Sequence, residues 1–206
     1  MIKELFDPQA RFWKWFVKNE PRLFTFDAMN EGDREELFDE LSVQLKKINP
    51  DLAFEFGPQS ERREFVISAG GIRSAFEAVT SLVAAAPRLQ RWEIIAFMPR
   101  REPCSIEMRG KRIDAHEVQC SLIHNGQKAG ILLFLPGYTD SDVVYKQIGY
   151  LFLDQALGEY DVEMNVGPIQ MLAPEADTEG ERFLIAELPK YFDRLVRQLR
   201  QSPPVM

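Results

Sequence analysis

The chain has 206 residues, with 25 lysines and arginines against 32 aspartates and glutamates and a formal net charge of −7. Its composition, 45% hydrophobic and 28% charged, is that of a globular protein and excludes a disordered, collagen-like or disulfide-stapled chain. A chain this long can bury about 70% of its surface, enough for an ordinary core.

The acidic balance argues against nucleic acid as a partner, because that binding draws on a basic surface. Residues 86–114 run the other way: Arg88, Arg91, Arg100, Arg101, Arg109, Lys111 and Arg112 outnumber Glu93, Glu102, Glu107 and Asp114. The run reads as solvated sheet edges and turns, or as a local patch for a polyanion. The opening MIKELFDPQ lacks the apolar core of a signal peptide, and the longest apolar stretch, 131–135, is far too short for a membrane span. A soluble, cytoplasmic protein without a membrane partner is expected, with Cys104 and Cys120 as free thiols.

In chain order, residues 9–18 place Phe12, Trp13, Trp15 and Phe16 within little more than a helical turn behind Pro8, which predicts a short aromatic helix. Packing into the core explains those rings most simply, and a docking surface for a partner is the other reading. Asp33, with Glu36 three residues on, resembles a capping box for a helix over 33–48 carrying Leu37, Phe38, Leu41, Leu45 and Ile48. Its opposite face is acidic and reads as solvated.

Strands are expected at 52–56 and 64–68, joined by the 57–61 loop, followed by Gly70-Gly71, a helix from residue 72 that stops before Pro87, and a strand at 92–98. Residues 105–108 form a short strand before a turn at Gly110. The strongest hairpin signal is Asn125-Gly126 between apolar runs 118–124 and 128–135, since a type I′ turn needs positive φ at both central residues. A helix capped by Asp140 or Ser141 runs to about residue 156 and ends at Gly158. Val162, Met164 and Val166 alternate with Glu163 and Asn165 as a strand would. An exposed loop at 175–181, a final helix over 184–199 and a fraying SPPVM tail complete the chain.

Hairpin 52–68, helix 72–85 and strand 92–98 have the same order as hairpin 118–135, helix 141–156 and strand 160–166. The expectation is a single α+β domain over 1–206, with a mixed, largely antiparallel sheet packed by helices, two ββαβ units (an internal repeat over 51–99 and 117–171) and a short aromatic N-terminal helix.

No complete catalytic constellation emerges. His116, His124, Cys104 and Cys120 lack the spacings of a zinc site, so no metal or cofactor is expected. Cys120 and His124 are four apart on a strand, about 13 Å by the strand rise, too far to act as nucleophile and base. Gly70 and Gly71 join a strand to a helix start, where backbone N–H groups could hold an anion, but no nucleotide-binding glycine motif is matched. Asp154, Glu159, Asp161 and Glu163 cluster near Tyr150 where a helix meets a strand. An acid–base pair there would need one member buried enough to raise its pKa, and a solvated polar stripe is the plainer reading.

The stretches Phe12-Trp13-Lys14-Trp15-Phe16 with Asn19-Glu20, Arg63 to Ala69, Leu135-Pro136-Gly137-Tyr138 and Ala156-Leu157-Gly158-Glu159-Tyr160 resemble a family of bacterial proteins of about this length, a domain-of-unknown-function family. The resemblance implies a bacterial, cytosolic origin and carries over no catalytic residue. The leading functional expectation is a non-enzymatic module that binds a protein or peptide through Trp13, Trp15 and Phe16, an exposed sheet edge or the acidic face. The alternative is a small hydrolase or ligand-binding enzyme with a pocket near Gly70, Gly71, Tyr150, Asp154 and Glu163. Self-association into a homodimer is compatible with either.

Overall fold

The structure, a computed structural model, describes residues 7–201, the side chain of Asn125 excepted. The expectations for residues 1–6 and for the tail at 202–206 lie outside the described residues. The span read from sequence as one domain divides into two compact units, Met1–Met98 and Pro99–Met206. Each is α+β, and each carries one ββαβ unit.

In the N-terminal unit α1 (Pro8–Phe24) starts where the Asp7 carboxylate accepts from the N–H groups of Gln9 and Ala10, with Pro8 at the first helical position. It is longer than the expected 9–18 and runs through Pro21, because Leu23 and Phe24 beyond that residue go into the core. Helix α2 (Glu31–Lys46) is capped by Asn30, whose Oδ1 accepts from the Asp33 N–H at 3.0 Å. Asp33 therefore sits in the first turn and is not the cap. Strands β1 (Ala53–Phe56) and β2 (Arg63–Ser68) pair antiparallel, α3 (Phe76–Ala84) crosses over, and β3 (Trp92–Ala96) returns parallel to β2, giving the order β1-β2-β3. The core of this unit is aromatic: Phe65 stacks on Phe16 at 4.9 Å and Phe56 at 5.1 Å, and Trp92 meets Phe16 edge-on at 5.2 Å.

The C-terminal unit opens with a hairpin of β4 (Ile106–Met108) and β5 (Lys111–Ile113). The hairpin of β6 (Gln119–Asn125) and β7 (Lys128–Phe134) pairs Asn125 with Lys128, so its two central residues are Gly126 and Gln127 and not the expected Asn125 and Gly126. The positive φ falls on Gly126, 61°, at the first central position, where a type II′ turn takes glycine. Helix α4 (Val143–Leu157) is capped by Asp142, whose Oδ1 accepts from the Val144 N–H at 2.9 Å, in place of Asp140 or Ser141. Gly158, φ 76°, ends it.

The strand expected at 160–166 is instead a helix, α5 (Glu159–Asn165), and the strand β8 (Val166–Leu172) follows it. Alternating Val162, Met164 and Val166 mimic a strand, yet Val162 is buried and Met164 is 38% exposed, and Glu159 and Asp161 sit in the first turn, where carboxylates suit the helix dipole. β8 runs parallel to β7, so β6, β7, α4 and β8 repeat the connectivity of β1, β2, α3 and β3. A two-residue strand, β9 (Phe183–Leu184), and α6 (Leu188–Gln201) complete the unit, with sheet order β8-β7-β6-β9. Gly149 lets α4 seat on this sheet: a Cβ there would lie 2.5 Å from Met171 Cε and 3.2 Å from Leu133 Cδ2. Among the described residues, no helix is long and apolar enough to cross a membrane.

Candidate functional site

β8 ends its sheet, with β7 on one side and no strand on the other among the described residues. The Leu135 N–H donates to Leu172 O at 2.9 Å, which places the main-chain groups of Leu172 and, two residues back, Gln170 on the β7 side. Strand alternation then turns the N–H and C=O of Ile169 and Met171 toward the open edge. The pairing shifts register between Ala129 and Ile131, and Gly167 and Pro168 fall within that shift, so the missing proline N–H costs no ladder bond.

Along this edge runs a cleft of about 580 Å³, with Ile169, Gln170 and Met171 on one wall and Tyr138, Asp140, Lys146 and Tyr150 on the other. Lys146 and Tyr150 are one turn apart on α4 and present side by side. The Tyr138 hydroxyl donates to Asp140 Oδ1 at 2.6 Å, which pushes its pKa up to about 12 and occupies the one carboxylate of the lining. Lys146 is the one cationic side chain there.

Of the residues singled out from sequence, Tyr150 stands in this cleft, 49% exposed, while Asp154 and Glu163 do not line it. Asp154 does gather with Glu159 and Glu163: burial first, and then those two charges, push its carboxyl up to about 6. Asp161 leaves the group for Arg100, at 2.7 Å. Gly70 and Gly71, φ 58° and 75°, form a tight turn in which the Gly70 N–H donates to Ser68 Oγ and the Ile72 N–H to Ala69 O, ahead of a single 3-10 turn at Arg73–Ala75 and α3 from Phe76.

Trp13 and Phe16 are core residues, 3% and 0% exposed, and Trp13 Nε1 donates to Leu82 O at 2.8 Å. Trp15 is half-buried. This removes the first two from any docking surface, since most of each ring is already in contact with the protein's own core. Cys120 is buried and His124 exposed on β6, so the two do not form a pair. Asp114, His116 and Glu117 bring their ligating atoms within 4.8 Å of one another, a grouping the cysteine–histidine spacing does not suggest, but Asp114 Oδ1 is already engaged by Arg112 and the Ser105 hydroxyl.

Comparison of the chain with protein-family models, with curated proteins and with solved structures finds no match in any of the three. The cleft residues Tyr138, Lys146, Ile169 and Met171 escape a reading of the sequence because the strand is expected six residues too early. The run Ile169-Gln170-Met171-Leu172 between Pro168 and Pro174 is the signal that could have found them.

Proposed function

We propose that this chain is a protein- or peptide-binding module that takes an extended segment of its partner along the open edge of β8. The carrying observation is the conjunction of an unpaired strand edge, offering the N–H and C=O groups of Ile169 and Met171, with a cleft beside it of about 580 Å³. Main-chain bonds to an edge strand supply affinity, and pockets for alternate side chains supply selectivity. Tyr150 and Tyr138 suit apolar or aromatic side chains of the segment, and Lys146 suits an acidic one.

The test is selection from a phage-displayed library of random peptides, followed by residue-resolved amide hydrogen exchange with a selected peptide bound. Slowed exchange at the Ile169 and Met171 amides, with little change at Gln170 and Leu172, supports the reading. Selected peptides that protect other segments, or no enrichment at all, sink it. Sedimentation velocity run alongside identifies the case in which a second copy of the chain takes the edge.

A second reading, a small hydrolase or ligand-binding enzyme, draws on Asp154, whose raised pKa of about 6 suits a general acid or base. It is the weaker of the two because Asp154 and Glu163 lie outside the lining of the cleft that holds Tyr150. A pH–rate profile on a panel of generic ester and phosphoester substrates tests it, and activity that survives Asp154→Asn removes this residue from the chemistry.

A further inference from the structure

The N-terminal unit has its own cavity, of about 410 Å³, at the outer side of β3. Its apolar lining is Val83, Ala86, Pro87, Leu89 and Ile94, beside Trp92, whose ring is 2% exposed and committed to the aromatic core, and two cations, Arg62 and Arg88, stand in the lining with no carboxylate among them. In a chain of net charge −7 this is a local reversal of sign, and it draws on the basic run noted in the sequence.

The neighbouring charges leave these two arginines available. Arg91 is ion-paired to Glu20 at 2.5 Å and lies over the Phe24 ring at 4.3 Å, and Trp92 Nε1 donates to the other oxygen of the same carboxylate at 2.9 Å, so Glu20 is fully engaged away from Arg62 and Arg88. Arg62 Nη2 donates to Trp92 O at 3.2 Å, which anchors the guanidinium at the cavity and leaves its other N–H groups without a partner among the described residues. The backbone adds a further donor. Arg91 O accepts from Arg63 N–H and Phe97 N–H donates to Ile67 O, so positions 91 and 97 face β2, and by alternation the N–H of Ile94 faces away from it.

We infer that this cavity binds a small amphipathic monocarboxylate, its alkyl or aryl body against Val83, Leu89 and Ile94 and its carboxylate between Arg62 and Arg88. The volume falls in the range of small-ligand sites, which combine a mostly apolar lining with a few polar groups that fix orientation. Guanidinium–carboxylate bonds are charge-assisted and favour a planar, two-oxygen anion. The inference concerns the N-terminal unit alone and is independent of the β8 reading.

The experiment titrates octanoate, 1-octanol and inorganic phosphate separately into the full chain and follows backbone amide shifts. Octanoate is expected to move the amides of residues 83–94 and to bind about tenfold more tightly than 1-octanol, with phosphate weaker than both. The exposed pair Arg62→Gln and Arg88→Gln, whose amide spectrum reports its own fold, is expected to cost octanoate about tenfold and leave 1-octanol unchanged. Equal affinity for octanoate and 1-octanol overturns the role of the arginines. Phosphate binding as tightly as octanoate overturns the apolar half and leaves a simple polyanion patch. Absence of any shift at residues 83–94 with millimolar octanoate overturns the site altogether.

Discussion

Arg63 is 1% exposed and reaches Asp27 with both terminal nitrogens, Nη1 to Oδ2 at 2.5 Å and Nη2 to Oδ1 at 3.2 Å. The same guanidinium donates through Nε to Gly57 O at 2.9 Å and through Nη1 to Phe24 O at 3.1 Å, and lies 3.7 Å over the Phe26 ring. One side chain thus ties the end of α1, the turn after it and the β1–β2 connection. Burying a cation is tolerable because each part of it meets an acceptor or a ring face.

Removing the anion leaves that cation buried with carbonyls alone. Asp27→Ala is expected to cost about 2–3 kcal/mol, below the roughly 3–5 kcal/mol of a fully buried pair because the Asp27 side chain is itself exposed. The Arg63 guanidinium also holds the Asp27 carboxyl below its ordinary value. A depressed carboxylate contributes stability above the unfolded pKa, near 4, and loses it as the pH falls through the folded value. Urea denaturation at pH 7 and pH 3 checks both points: the variant should lag the parent at pH 7, and the gap should narrow at pH 3. A gap that persists unchanged at pH 3 contradicts the ion-pair account.

The two tryptophans of α1 should separate. Trp13, 3% exposed, has its indole N–H bound to Leu82 O and meets Phe12 edge-on at 5.0 Å, so Trp13→Ala creates a large void and strands a carbonyl. A loss of about 3–5 kcal/mol is expected. Trp15, only half-buried, should cost markedly less on truncation. Thermal melts of the two variants decide it, and equal losses would show that burial is not what distinguishes them.

The α+β class and the doubled ββαβ order were readable because they rest on local signals: Asn125-Gly126 between two apolar runs, Gly158 after an apolar helix, and the continuous apolar runs at 64–68 and 128–134. What local signals misplaced was α5, where a seven-residue segment is too short for helical periodicity to outweigh a chance alternation of Val162 and Met164. That displacement hid β8 and with it the cleft. The carboxylate group near Asp154 was readable in part, because α4 and α5 are consecutive, whereas the pairing of Arg100 with Asp161 and Asp193 is tertiary and has no sequence mark.

The thiols should differ in reactivity. Cys104 is exposed, while Cys120 is buried on β6 with its Sγ 3.7 Å from Phe183 O, and burial together with the Glu187 charge raises its pKa far above that of a free thiol. Titration of the native protein with a thiol-specific disulfide reagent is expected to modify Cys104 promptly and Cys120 only on unfolding. Prompt reaction at both would mean that the β6–β9 edge opens readily.

Asp154 offers the sharpest pH test. Burial and the charges of Glu159 and Glu163 lift its carboxyl from 3.8 to about 6 in the fold. A folded pKa above the unfolded one means that the native state binds the proton more tightly, so stability falls as the pH climbs from about 4 to about 6 and remains lower above that. A shift of this size corresponds to roughly 2–3 kcal/mol. Asp154→Asn keeps the shape and removes the charge, so it should raise stability by about that amount at pH 8 and leave it nearly unchanged at pH 4. Chemical denaturation at the two pH values measures the difference directly. If the variant gains nothing at pH 8, the ionised carboxylate is being stabilised in the fold, and the repulsive grouping with Glu159 and Glu163 is wrong.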